Sequence, residues 1–173
     1  MFRNHPNVGA RSDTLRQVVL YTLGGIYADV NDAACLVSMK KFCRKFDFII
    51  GMEPVMYVNN AIIASKKGHV IPKRFLAVLA ANAHDYVQEW IDDYTNEPEQ
   101  DAKDDYIVGT TGPIAMSGII FGVLKDFTLK HSVIFPSSWV YPNFWIKEGG
   151  DIWLKPVSIT GHFDARDYLS PAP

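Results

Sequence analysis

The chain has 173 residues, 48% of them hydrophobic and 21% charged, with a formal net charge of −2. That length suits a single domain, residues 1–173, burying about two thirds of the surface its unfolded chain exposes. A near-neutral balance gives no broad field to recruit nucleic acid or an anionic membrane, so neither is an expected partner.

The first element is an amphipathic helix over Ala10–Leu23, where Leu15, Val18, Val19 and Leu23 recur on one face. Ser12 or Asp13 is suited to cap its start, and Gly24 to close it in the left-handed conformation. Ile26, Tyr27 and Ala28 make a short strand that delivers Asp29, Asn31 and Asp32 to its carboxyl end, where open α/β sheets bind ligands. Phe46–Met52 reads as a buried strand, and Ala61–Ala64 as a second that leaves the core through the polar turn Ser65–His69. Helical spacing from Phe75 to Tyr94 predicts one long helix over Pro72–Tyr94, with Pro72 in its first turn. Asn96–Asp105 is acidic and contains Pro98, so it reads as a solvated loop. Thr111-Gly112-Pro113 opens a further helix to Leu124, and Ser132–Phe163 alternates short apolar runs with turn residues. The sum is a mixed α/β protein rather than a regular βαβ array.

No apolar run approaches the ~20 residues a membrane span needs, and the amino terminus lacks a signal-peptide pattern. On that basis the chain reads as soluble and cytoplasmic. Cys35 and Cys43 are the only cysteines. They are too few for a disulfide framework, lack zinc-site neighbours, and read as reduced packing residues.

Asp29-x-Asn31-Asp32 carries the clearest chemistry. Mg²⁺ and Mn²⁺ prefer hard oxygen ligands and usually bind through one or two carboxylates together with substrate phosphates. Along a strand, Asp29 and Asn31 share a face while Asp32 points away unless the chain turns. The same residues also fit a polar cap between strand and turn. An EF-hand loop does not fit, because Ala33, Ala34 and Lys40 stand where a third ligand, the glycine and the closing glutamate belong. A phosphate-processing hydrolase does not fit either, since Val30, Asn31 and Ala33 leave no D-x-D-x-T context.

Three segments in order, A-R-S-D-T-L-R (Ala10 to Arg16), L-Y-T-L-G-G-I-Y-A-D-V-N-D (Leu20 to Asp32) and N-A-I-I-A-S-K-K-G-H (Asn60 to His69), resemble the sugar-binding region of DxD-containing glycosyltransferases. Those enzymes include the yeast-type initiating mannosyltransferases and, more remotely, the clostridial toxin glucosyltransferases. Thr111-Gly112-Pro113 matches a further motif of the mannosyltransferase-like group, and Tyr141-Pro142 another.

The resemblance implies a GT-A-like mixed sheet flanked by helices, a UDP- or GDP-sugar donor, a glycan or protein acceptor, and Mn²⁺ or Mg²⁺ bridging the diphosphate. It also implies retention of the anomeric configuration. In such families the S-D-x-x-R aspartate and arginine hold donor sugar hydroxyls, which maps onto Asp13 and Arg16, and their i, i+3 spacing puts both on one helix face. Tyr27 and Asp29 map onto the tyrosine and aspartate that lie against nucleotide and metal, so Asp13, Arg16 and Asp29 are the candidate catalytic residues. Asn31 stands where the second DxD aspartate ligates metal, with Asp32 as support, and His162 corresponds to the family's late histidine. These enzymes carry a nucleotide-binding βαβ portion before the S-D-x-x-R helix. Only nine residues precede Ala10, so the expected fold lacks most of that portion. With Asn31, this leaves a noncatalytic sugar- or protein-binding relative as the alternative function.

Other candidates have plainer readings. Lys66, Lys67 and His69 suit either phosphate or a solvated turn. His84 reads as a core or boundary histidine, and His5 and His131 have no evident chemical partners. Trp139, Tyr141, Phe144, Trp145 and Trp153 suit either a sugar-stacking platform or core packing. Asp92, Asp93, Asp104 and Asp105 face solvent, because adjacent helical residues do not face one another.

Overall fold

The computed structural model describes residues 5–29, 33–35, 39–53, 57–94, 100–125, 131–136 and 160–162, with backbone alone at 33–35, 125 and 160–162. In chain order the elements are α1 (Val8–Thr22), β1 (Gly25–Ala28), β2 (Ala33–Cys35), α2 (Lys40–Cys43), β3 (Phe48–Met52) and β4 (Val58–Ser65). There follow α3 (Val70–Ala81), α4 (Ala83–Glu89), a π-helical turn (Trp90–Tyr94), α5 (Gln100–Thr110), α6 (Pro113–Lys125), β5 (Ser132–Phe135) and β6 (Thr160–His162).

Four strands form a mixed sheet in the order β1-β4-β3-β5, with β4 antiparallel to both neighbours and β5 parallel to β3. Successive residues along β3 and β4 feed opposite faces, and both faces are covered, so the strands are apolar almost throughout. Phe48, Ile50 and Ile63 meet Leu20 of α1, Phe75 of α3 and Ile120 of α6. Ile49, Ile62 and Ala64 face the other way, onto Met39 and Phe135. Each large side chain taken fully out of water contributes about 1.5–3 kcal/mol. A third cluster, Ala10 with Trp90 and Ile107, ties the first turn of α1 to the π-helical turn and α5. The result is the mixed α/β class expected, a sheet flanked by helices, consistent with part of a GT-A-like fold.

Several sequence expectations are corrected. The cap of α1 is Asn7, whose side chain accepts from the Ala10 N–H, rather than Ser12 or Asp13. The single helix over 72–94 is broken at Asn82, whose backbone leaves helical geometry while its amide bonds back to the Val78 carbonyl. The acidic loop is in part a helix: Gln100 starts α5, and its side-chain amide reaches Asp104 one turn on at 2.8 Å. Asp101 in the first turn complements the positive end of the helix dipole. The segment Gln100–Leu124, with a mean hydropathy of 1.7 in its most apolar window, is long and apolar enough to cross a bilayer. It passes that test by length and composition alone, and no uninterrupted apolar run within it reaches ~20 residues. In the fold it is two helices broken at Thr111–Gly112, with Met116, Ile120 and Val123 buried. His84 is exposed rather than buried. The aromatic residues Trp139, Tyr141, Phe144, Trp145 and Trp153 lie outside the described residues.

Candidate functional site

Helix α1 sits on the sheet with its polar side inward. Asp13, Thr14, Arg16 and Gln17 are buried, 6%, 6%, 7% and 1% exposed, whereas Leu15, Val18, Val19 and Leu23 are 38–74% exposed. Both sets repeat at the helical period, so the apolar pattern located the helix but not its inward side. The packing turns Asp13 and Arg16 together toward β4 and the end of β1.

Two local devices bring their partners. Gly24, with φ +72°, turns the chain from α1 into β1, and a Cβ there would stand 2.6 Å from the backbone nitrogen of Lys67. The turn therefore needs glycine. Beyond Ala28 the pairing with β4 continues for one bond, the Asp29 N–H donating to the Ala61 carbonyl at 2.9 Å. In β4 the register against β3 shifts between Ile50 and Gly51. At the shift the Asn59 side-chain oxygen accepts from the Ala61 and Ile62 N–H groups. Such a bulge re-aims the residues beside it. Asn60 is re-aimed here: its carbonyl accepts from Arg16 Nη1 at 2.6 Å, and its amide donates to Asp13 Oδ1 at 3.0 Å.

The Arg16 guanidinium is the centre of the cluster. Its Nη2 lies 3.0 Å from Asp13 Oδ1 and 3.5 Å from Asp29 Oδ1. It stacks over the Tyr27 ring at 4.4 Å, and the Tyr27 hydroxyl donates to Asp29 Oδ1 at 2.5 Å. Thr111, at the junction of α5 and α6, donates its hydroxyl to Asp13 Oδ2 at 2.9 Å. Burial pushes the Asp13 carboxyl up to about 6 and the nearby Asp29 charge adds to this, against the opposing pull of Arg16, Thr111 and Asn60. Burial and the hydrogen bond to Asp29 raise the Tyr27 phenol. Among the described residues, Arg16 Nε is buried with no hydrogen-bond partner. A buried donor left unpaired costs about 1–3 kcal/mol.

Asp13, Arg16, Tyr27 and Asp29 are thus brought together, as the resemblance implies. Asn31 and Asp32 lie outside the described residues. The antiparallel β2–β6 pair sets His162 opposite Ala33, the residue after Asp32, so the backbone carries His162 to that end of the motif. Among the described residues no group of three or more His, Cys, Asp or Glu forms a metal site. Asp29 still fits a hard cation: its side chain is 36% exposed, and its second carboxylate oxygen has no partner among the described residues. With both carboxylates ionised, Asp13, Arg16 and Asp29 carry one net negative charge, which also favours a cation.

Lys66 pairs with Asp47 at 2.5 Å, and His69 caps α3, its Nδ1 accepting from the Ile71 N–H, while its ring stacks on Phe48 at 5.0 Å. Both therefore have structural employment in the turn. Asn60 and Thr111 fall within the motifs that carry the resemblance, but sequence reasoning gives neither a role. The Asn59-Asn60 pair inside an apolar strand is the signal that marks the first, because asparagine is disfavoured in strands.

The family model of the glycosyltransferase sugar-binding region containing the DXD motif matches residues 1–54. No curated protein and no solved structure matches the chain. The matched stretch holds Asp13, Arg16, Tyr27 and Asp29 and ends before Asn60 and Thr111. Residues 1–54 are therefore similar to the sugar-binding region of DXD-containing glycosyltransferases.

Proposed function

We propose that this chain forms the donor site of a metal-dependent, GT-A-type glycosyltransferase that moves a hexose from a UDP- or GDP-sugar to a hydroxyl of a glycan or protein acceptor, with retention. The observation that carries this reading is Arg16, buried between Asp13 and Asp29 with Nε unpaired among the described residues. An arginine fork beside a carboxylate presents donors and an acceptor to neighbouring sugar hydroxyls, and each such charge-assisted bond is about twice as strong as a neutral one.

In this reading Asp13 accepts from one sugar hydroxyl and Arg16 donates to an adjacent oxygen. Tyr27 supports the guanidinium with its ring and orients Asp29 through its hydroxyl. Asp29, Asn31, Asp32 and His162 are the residues to hold Mn²⁺ or Mg²⁺. Such an ion, when bound, supplies electrostatic stabilisation to the departing diphosphate. Asn31 keeps an oxygen ligand but removes a charge, so metal affinity rests more heavily on Asp29.

Calorimetric titration with UDP-glucose and GDP-mannose, each with and without Mn²⁺, tests this on the wild type and on Asp29→Ala. The expected result is Mn²⁺-dependent binding of one donor, weakened at least tenfold by Asp29→Ala. Donor binding without transfer to any acceptor supports the noncatalytic alternative that Asn31 raises. No binding of either donor, with or without the metal, overturns the donor-site reading.

A further inference from the structure

We propose that Thr111 is a positioning residue of this site, its hydroxyl acting with the Asn60 amide to hold the Asp13 carboxylate in its ligand-binding orientation. The proposal rests on the donor-site reading for what Asp13 binds, but not for how Asp13 is held. It concerns residues beyond the stretch matched by the family model.

The first argument is a departure from habit within this chain. Helical serine and threonine hydroxyls commonly bond to the carbonyl four residues back. Thr14, Thr22, Thr110 and Ser117 do so, at 2.7–2.8 Å, whereas Ser12, beside the same cluster, instead accepts from Arg16 Nη2 at 3.5 Å. Thr111 has the same carbonyl available, that of Ile107, yet stands 3.3 Å from it and 2.9 Å from Asp13 Oδ2. A hydroxyl has one proton to give, and the shorter, charge-assisted bond takes it. Thr111 is only 1% exposed, so water does not replace the bond.

The second argument is the rigidity of the platform. The Thr111 and Gly112 N–H groups both donate to the Ile107 carbonyl, at 2.9 and 2.8 Å. A Cβ on Gly112 would meet Val108 Cα at 2.8 Å, so the elbow closes this tightly because residue 112 is glycine. Pro113 then starts α6, whose Met116, Ile120 and Val123 are fully buried. The hydroxyl is thereby fixed from a point 98 residues away along the chain.

The third argument is the count of lone pairs. An ionised carboxylate accepts about four hydrogen bonds. Asn60 and Arg16 share Oδ1, and Thr111 takes Oδ2, which leaves Oδ2 room for one more donor. Without the Thr111 anchor, the carboxylate is free to rotate onto the Arg16 fork as a bidentate pair. That rotation satisfies both groups with each other and removes them from a ligand.

The test compares Thr111→Val, Thr111→Ser and Asn60→Ala with the wild type by two readouts. One is calorimetric binding of UDP-glucose and GDP-mannose with Mn²⁺. The other is the titration of the Asp13 carboxyl carbon by NMR in the ligand-free protein, which Arg16 and Asp29 also influence. Thr111→Val is expected to weaken donor binding about ten- to a hundredfold, the worth of a hydrogen bond to a charged group, and to raise the Asp13 midpoint. Thr111→Ser is expected to restore both to near wild type. Asn60→Ala, which removes the other neutral donor, gives the same two shifts and serves if the valine variant does not fold. An unchanged Asp13 titration in Thr111→Val, or in Asn60→Ala if the valine variant does not fold, overturns the positioning role. If the wild type binds neither donor while the titration shifts as expected, the donor-site reading fails and the positioning of Asp13 stands.

Discussion

Helices α1 and α3 pack side by side over the same face of the sheet, yet they bury opposite kinds of surface. α3 turns Ile71, Phe75 and Leu79 inward. α1 turns in Asp13, Thr14, Arg16 and Gln17, with Ala10 and Leu20 as the apolar exceptions. Burial at α3 stabilises through the hydrophobic effect. At α1 each buried charge must first recover its desolvation cost, and pairs of this kind often contribute little to net stability. The sheet is thus held from the α3 side and loaded with chemistry on the α1 side. Groups poised for binding rather than stability are what a functional site looks like energetically.

The sharpest break of this contrast comes from removing the central side chain of each helix. Phe75→Ala is expected to lower unfolding stability by about 4 kcal/mol, through lost transfer energy and a cavity. Arg16→Ala is expected to cost about 3 kcal/mol, because two carboxylates lose their shared cation. Denaturant melts give both values, and calorimetry on the folded protein separates them: only Arg16→Ala is expected to abolish the proposed donor binding. If Arg16→Ala melts with the wild type, the α1 cluster is not a paired buried network and the comparison fails.

A smaller effect of opposite sign is expected at Asp13. Its carboxyl titrates at about 6 in the fold against an ordinary 3.8, so folding favours the protonated form. The stability from that group is therefore fully present below about pH 4 and is lost as pH rises through about 6. A shift of this size corresponds to about 3 kcal/mol at neutral pH. Asp13→Asn keeps the size and removes the charge. It is expected to be more stable than the wild type at pH 7.5, by up to about 3 kcal/mol, with the gain shrinking toward pH 4. The proposed donor binding is expected to fall at least tenfold in the same variant. Melting curves across that pH range decide it, and a variant less stable than the wild type at pH 7.5 would falsify the account of Asp13 as a strained site residue.

How much of this was legible in the sequence follows from the range of the interactions. β1, β3 and α6 are local patterns, and their residues announce them. Asp13, Arg16, Tyr27 and Asp29 lie within 17 positions of one another, and their resemblance to a known sugar site picked them out together. Asn60 and Thr111 reach Asp13 across 47 and 98 residues. The resemblance quotes both in separate motifs, but no spacing rule links them to Asp13, and it is the packed α5–α6 elbow and the β4 bulge that bring them to it. The charges of Gln100–Asp105 suggest a loop, yet these residues open α5, of which Ile107 is the sole residue that the core buries. One buried contact and a well-placed dipole complement are too small a signal to see in composition.

The inward side of α1 is the most instructive miss, and its outer side gives the smallest predicted effect. Two stripes share one period, Leu15 and Val19 on one, Asp13, Arg16 and Gln17 on the other, and amphipathicity alone puts the first against the core. The structure leaves Leu15 43% and Val19 40% exposed. Val19→Lys is therefore expected to change unfolding stability by less than about 0.5 kcal/mol, as surface substitutions do, and to leave donor affinity unaltered. Placing the same lysine at Leu20, 1% exposed and one position on, is expected to unfold the domain, because a lone ammonium in that core has no partner. The pair reads the rotation of α1 directly. Equal losses at the two positions would mean that the stripe at Val19 is also packed, and the assignment of the polar stripe as the inward face would fall with it.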